Sequence, residues 1–334
     1  MISLRSSHRR RLAASLVAGT GAAALAMGSV AVAPAAHAVG PTSVSVVAGQ
    51  LRIFSAAGTV NNVVVSQVGA FIRVTDTAGV NNGANCLQLN ATTAACLAAQ
   101  VNTMRVALSD ASDLYRNSVN RPGLVDAGLG NDMVFAGPGS QSVYGGAGND
   151  TLYGSGVVAA GDASDRLSGG TGNDKLVGVL GNDVLDPGLG ADWVSGGAGT
   201  RDLVTYAARV ANVSVRIDNL ANDGQAGEGD NVRTDVEDVT TGSGNDVIIG
   251  SSVANVLRGG PRNDTIVGGL GNDWISGDAG NDVASGGEGN DRLLGSLGND
   301  RLFGNNGADS IDGGPQVDLC ILGAGGLVKT NCEV

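Results

Sequence analysis

The chain has 334 residues, 42% of them hydrophobic but only 3% aromatic, with 55 glycines, four cysteines and a net charge of −12. So acidic a balance argues against nucleic acid and anionic membrane as partners and in favour of cations. Both histidines, His8 and His37, lie at the amino-terminal end. Residues 39–334 therefore have no Ser–His, Cys–His or histidine–metal chemistry open to them, although paired carboxylates of the glycosidase kind remain.

In chain order, residues 1–38 read as a signal peptide. A basic start (Arg5, Arg9, Arg10, Arg11) leads into an Ala/Gly/Val run that closes on Ala36-His37-Ala38, a small-x-small cleavage site. Arg9-Arg10-Arg11-Leu12 leaves twin-arginine export open as the route. Cleavage removes four arginines and no acid, which takes the net charge from −12 to −16. No later run of about eighteen apolar residues exists to span a membrane. The expectation is a secreted, extracellular chain, free or associated with the cell surface.

Residues 39–120 alternate Val/Ile-rich runs with Gly and Asn, which predicts β-structure: either a cap continuous with the rest of the chain or a separate sandwich. Cys86 and Cys96 lie here, and Cys320 and Cys332 near the other end. In an exported chain they pair as Cys86–Cys96 and Cys320–Cys332, each closing a short local loop; a shared zinc site is the alternative.

A nine-residue ruler governs the rest. Aligned on Gly-Gly-x-Gly-Asn-Asp-x-(Leu/Ile/Val)-x, the sixth position of a first block (121–204) falls at Asp132, Gln141 and Asp150, then, after six extra residues, at Asp165, Asp174, Asp183 and Asp192. Arg201-Asp202 then slips by one. In a second block (242–320) it falls at Asp246, Asn255, Asp264, Asp273, Asp282, Asp291, Asp300, Asp309 and Asp318 with nothing inserted. The eighth position is apolar (Leu152, Leu176, Ile266, Leu293) between mostly polar neighbours. Each repeat thus predicts a three-residue strand with its middle side chain inward, after a six-residue glycine turn. A period of nine keeps no helix face, and it is not the glycine period of collagen. Two repeats make one coil of a parallel β-solenoid, so turns at i and i+18 stack about 4.8 Å apart.

Stacked in this way, neighbouring sixth-position aspartates would repel by about 3–4 kcal/mol at an effective dielectric of 20. Over a column that exceeds the stability of an ordinary domain. A cation between them reverses the sign. The donors on offer, carboxylates and turn carbonyls, are all oxygen, which selects calcium over transition metals and over magnesium. The fourteen aspartates at the sixth position are the candidate metal ligands.

Gly145-Gly146-Ala147-Gly148-Asn149-Asp150-Thr151-Leu152-Tyr153 and Gly286-Gly287-Glu288-Gly289-Asn290-Asp291-Arg292-Leu293-Leu294 match, at every fixed position, the nonapeptide of the RTX (repeats-in-toxin) family, which the sequence resembles. The resemblance implies a right-handed parallel β-roll holding several calcium ions. Each ion would lie between turns of successive coils, on turn carbonyls and aspartate pairs such as Asp264/Asp282, Asp273/Asp291, Asp282/Asp300, Asp291/Asp309 and Asp174/Asp192. Gln141, Asn255 and Asp202 would mark weak or empty sites. More loosely, residues 39–120 resemble the leading segment of secreted calcium-binding proteins of high-GC Gram-positive bacteria.

Residues 205–241 interrupt the ruler, as longer coils that keep phase or as an acidic loop with Asp223, Glu228 and Asp230. A further calcium site there competes with a plain surface loop, and no EF-hand can be drawn. Residues 321–334 are expected to cap the solenoid, with Cys332 folding the tail back over the open core. Trp193 and Trp274, at position seven, read as strand residues or as sugar platforms. The expected function is calcium binding by a secreted, non-catalytic β-roll protein that folds only with calcium, structural or adhesive outside the cell, toward polysaccharide or protein. A β-helical carbohydrate-active enzyme and a glycan-binding module, each with structural calcium, compete; no Gly-x-Ser-x-Gly or His-Glu-x-x-His element supports the enzyme.

Overall fold

A computed structural model describes residues 41–154 and 164–333; the expected signal peptide lies outside them. Apart from a 3-10 turn at Ala98–Gln100, the regular structure of these residues is all β-strand.

The repeat explains the strand. Val256–Pro261, Trp274–Ala279 and Arg292–Leu297 are each six residues long and run in parallel. Ile275 sits beside Leu257 and Leu293, an offset of 18 that makes two repeats one coil. The strand therefore covers positions seven to three, twice the expected length, and only positions four to six bend. Strand alternation turns two residues of each repeat inward, the apolar eighth and the first glycine. Because that glycine brings no side chain to bury, the sequence advertises only half of the strand.

At position two the backbone is left-handed. Gly269 and Gly287 have φ of +112° and +117°, and a Cβ on Gly287 would stand 2.1 Å from the Gly269 carbonyl oxygen. Four other second positions hold this conformation without glycine: Val179, Asp278, Ser296 and Asn305, with φ of 70–79°. The core between the faces is one ladder of eighth-position side chains, Ile248, Leu257, Ile266, Ile275, Leu293 and Leu302 among them, all fully buried.

Among the described residues one fifteen-stranded sheet runs from Val80–Asn82 to Val328–Thr330, while the opposite face divides into a ten-stranded and a seven-stranded sheet. The amino-terminal hairpins, Thr42–Val47 with Gln50–Phe54 and Asn62–Val68 with Phe71–Asp76, lie in the same sheets as the repeats. Gln50–Phe54 pairs in parallel with Thr103–Ala107, and Asn62–Val68 with Leu114–Asn117. The Cys86–Cys96 disulfide bridges antiparallel neighbours.

The division of the opposite face comes from residues 205–241, whose strands are laid down in crossed order. Val213–Arg216 comes first in the chain but pairs with Val247–Ile249, in the second block. Asn231–Val232 comes later yet pairs with Trp193–Ala198, in the first. Asp238–Thr240 then joins the long sheet between Leu203–Thr205 and Val256–Pro261.

At the carboxyl end the Cys320–Cys332 disulfide is formed. The tail packs Leu322 and Cys332 against the core. It continues the coil, with Leu319–Ile321 on one face and Val328–Thr330, exposed throughout, on the edge of the other. One more parallel strand satisfies the ladder of Ser310–Asp312, which a crossing loop would leave unpaired.

Candidate metal centre

Where the chain bends, the backbone N–H of position six has no strand partner, and a carboxylate supplies one. Asp264 N–H donates to Asp282 Oδ1, Asp282 N–H to Asp300 Oδ1 and Asp300 N–H to Asp318 Oδ1, each at 2.8 Å; Asp246 N–H donates to Asp264 at 2.7 Å. A second ladder runs from Asp273 to Asp291 and on to Asp309, at 2.9 and 3.0 Å. In the first block Asp132 donates to Asp150 at 2.8 Å, while Asp150 to Asp174, Asp174 to Asp192 and Asp165 to Asp183 are all 2.7 Å. All fourteen sixth-position aspartates stand in these ladders, each no more than 2% exposed, and the five named pairs are stacked neighbours.

One oxygen of each carboxylate thus completes the preceding coil. The other, Oδ2, is buried and without a hydrogen-bond partner in Asp150, Asp174, Asp192, Asp264, Asp273, Asp282, Asp291, Asp300, Asp309 and Asp318. It faces the first glycine of its own repeat. A Cβ on Gly268 would lie 2.2 Å from Asp273 Oδ2 and 2.5 Å from the Gly286 carbonyl oxygen of the next coil; on Gly295, 2.3 Å from Asp300 Oδ2 and 2.4 Å from the Gly313 oxygen. An anionic oxygen and a backbone carbonyl of the next coil converge where no side chain fits.

A buried anionic oxygen without a partner is costly, and the aspartates respond. Burial pushes Asp132, Asp264 and Asp282 up to about 7, with the charge of stacked neighbours (Asp150, Asp282 and Asp300 respectively) adding to it against the lowering backbone bond. Burial likewise pushes Asp174 and Asp273 up to about 6, and Asp192 to about 8, where Asp230 contributes repulsion. The donor set suits a hard cation. Among the described residues no three His, Cys, Asp or Glu side chains gather as a group, so an ion would be held by single carboxylates of stacked coils together with turn carbonyls. Flexible, all-oxygen coordination of that kind fits calcium.

The fifth-position asparagines form a ladder of opposite direction, for which the repeat pattern alone gives no expectation. Asn290 N–H donates to Asn272 Oδ1 and Asn281 N–H to Asn263 Oδ1 at 2.7 Å, and Asn299 N–H to Asn281 and Ala308 N–H to Asn290 at 2.8 Å. Each asparagine reaches forward to the next coil while each aspartate reaches back. The recurring Gly-Asn-Asp is the signal available in the sequence.

Irregular positions divide into two kinds. The one-residue slip does not remove Asp202 from the ladder: Asp183 N–H donates to Asp202 Oδ1 at 2.8 Å, and Asp202 N–H to Glu237 Oε2 at 2.9 Å. Glu333 Oε2 ends the other ladder, 2.8 Å from Asp318 N. Gln141 and Asn255 replace the carboxylate by an amide that donates to a backbone carbonyl (Arg121 and Glu237, 2.6 Å each). The acids of residues 205–241 hold structure together. Asp223 accepts from Arg216 N–H (2.6 Å) and Val232 N–H (2.8 Å), and Asp230 from Asp192 N–H (2.9 Å) and Tyr206 Oη (2.8 Å). Glu228 accepts from Gln225 N–H at 2.7 Å and faces Arg209 at 3.2 Å.

Comparison with known proteins agrees with this geometry. The sequence model of a family described as RTX calcium-binding nonapeptide repeat matches residues 125–156, 159–194, 235–252, 249–284, 258–293 and 285–320. A search of curated proteins finds no match.

Proposed function

We propose, from the RTX calcium-binding nonapeptide repeats that the chain carries, a secreted, non-catalytic protein that folds when calcium is present and serves a structural or adhesive role outside the cell. The observation that carries the reading is the pair of buried aspartate columns, each member with one oxygen spent on the backbone and, in most of them, the other without a partner. Bound calcium supplies the positive charge these columns lack. Asp264, Asp282, Asp300 and Asp318 would hold ions along one edge, and Asp273, Asp291 and Asp309 along the other. Without it, stacked carboxylates oppose the coil they help to build, so binding free energy becomes folding free energy. The signal-like residues 1–38 support export, and the lack of histidine from residue 39 onward supports a non-catalytic role.

The test is far-UV circular dichroism of residues 39–334, stripped of metal and titrated with calcium, with magnesium as control. A cooperative coil-to-β transition specific to calcium is expected. A spectrum already β-rich in chelator and indifferent to calcium would overturn the proposal.

A further inference from the structure

Four of the six cation–aromatic contacts among the described residues lie on the outer face of the ten-stranded sheet. Arg116, Phe135, Tyr153, Lys175, Trp193 and Arg233 form a staggered column across successive strands: Arg116, Phe135 and Tyr153 share one register, and Lys175 and Trp193 stand two residues along the strand from it. The Arg116 guanidinium lies 5.3 Å from the Phe135 ring centre, and the Phe135 and Tyr153 rings stack at 4.9 Å with planes 2° apart. Lys175 Nζ is 5.8 Å from the Tyr153 ring and 4.8 Å from that of Trp193, which Arg233 approaches at 5.4 Å. Arg73 adds a cation further along, on Phe71–Asp76. Among the described residues, the outward positions of the strands from Phe71–Asp76 through Asn231–Val232 that carry this column hold no acid, in a chain with 32 acids against 20 bases. The acid just beyond Arg233, Asp235, is turned onto Ser195 Oγ at 2.6 Å.

We propose that this face binds an acidic polysaccharide whose charges are widely spaced. The ring faces are taken up within the column, so solvent meets ring edges, the positive rim of the aromatic quadrupole. The cations are held between rings and lose less freedom when they bind. At about 4.8 Å per strand and 3.3 Å per residue along it, Arg116 and Lys175 stand roughly 16 Å apart and Lys175 and Arg233 roughly 12 Å. Duplex nucleic acid, with one charge per about 1.7 Å of axis, would bring far more charge than this row can match and would be repelled by the acidic body. A chain with one carboxylate every sugar or two matches the row.

The proposal rests on the calcium-loaded fold, so calcium titration by circular dichroism accompanies every sample and separates loss of fold from loss of binding. Calcium-loaded protein is run over immobilised hyaluronan, with neutral dextran, duplex DNA and anionic vesicles as comparisons. Retention on hyaluronan and not on dextran is expected. Arg116→Glu/Lys175→Glu should weaken it on the order of tenfold, while the same charge change on the other faces, Arg292→Glu/Arg301→Glu, leaves it unchanged. If the first variant loses its calcium-dependent spectrum, Arg116→Gln/Lys175→Gln carries the same comparison. No retention of folded wild-type protein, equal loss in both double variants, or equal binding of DNA or vesicles would each overturn the inference.

Discussion

At the scale of the residue, each sixth-position aspartate does two separable jobs. Asp282 accepts the Asp264 N–H through Oδ1 and leaves Oδ2 buried beside Gly277. Asp282→Asn keeps an acceptor for that N–H but removes the charge. It should therefore stabilise the calcium-free protein and weaken calcium binding, with melting temperatures moving in opposite directions in chelator and in calcium. Asp282→Ala orphans the N–H and should cost about 1–3 kcal/mol in both. Acidity acts on the same groups. Asp132, Asp264 and Asp282 are raised to about 7 by burial, against about 3.9 in an unfolded chain. Between those values the folded state holds protons that the unfolded state has released. Calcium-free protein should gain stability as pH falls from 8 toward 4 and lose it as pH rises through 7. In saturating calcium the slope should reverse, because protons then compete with the ion. Melting curves across pH in both conditions would check the sign.

At the scale of the element, legibility in the sequence depends on what each position displays. The inward apolar eighth residue and the sixth-position carboxylate are visible as a period of nine, and the coil of eighteen comes from them. Strand length is not legible, because the second inward residue is a glycine, whose presence signals turns as readily as space. The asparagine ladder is legible as a recurring letter but not as a bond, since nothing in Gly-Asn-Asp says that the two side chains reach in opposite directions. The crossed strands of residues 205–241 carry no period at all, and their partners lie in distant coils. Of the four second positions that are left-handed without glycine, Val179 is the β-branched one, held at φ 79° where most repeats place glycine. Val179→Gly should relieve about 1 kcal/mol of backbone strain and raise the melting temperature, whereas Gly287→Val, at φ +117° and against the Gly269 carbonyl, should lower it.

At the scale of the whole molecule, a solenoid is only as stable as its ends, because each coil is buttressed by its neighbours alone. The last coil is held by Glu333 on Asp318 N–H and by the Cys320–Cys332 disulfide, across a separation of 12 residues. Loss of that disulfide in Cys332→Ser should cost about 3 kcal/mol, read as a lower denaturant midpoint for a first, carboxyl-terminal transition. The middle of the solenoid is spliced rather than joined. Because Val213–Arg216 seats on the second block and Asn231–Val232 on the first, each block wears a strand delivered from beyond the other's boundary. Repeat arrays usually lend themselves to shuffling and truncation, yet scissors at 204 and 242 would take from each half the strand that closes it, and neither half would be a module. For evolution and for engineering alike, the two blocks are inherited together or not at all.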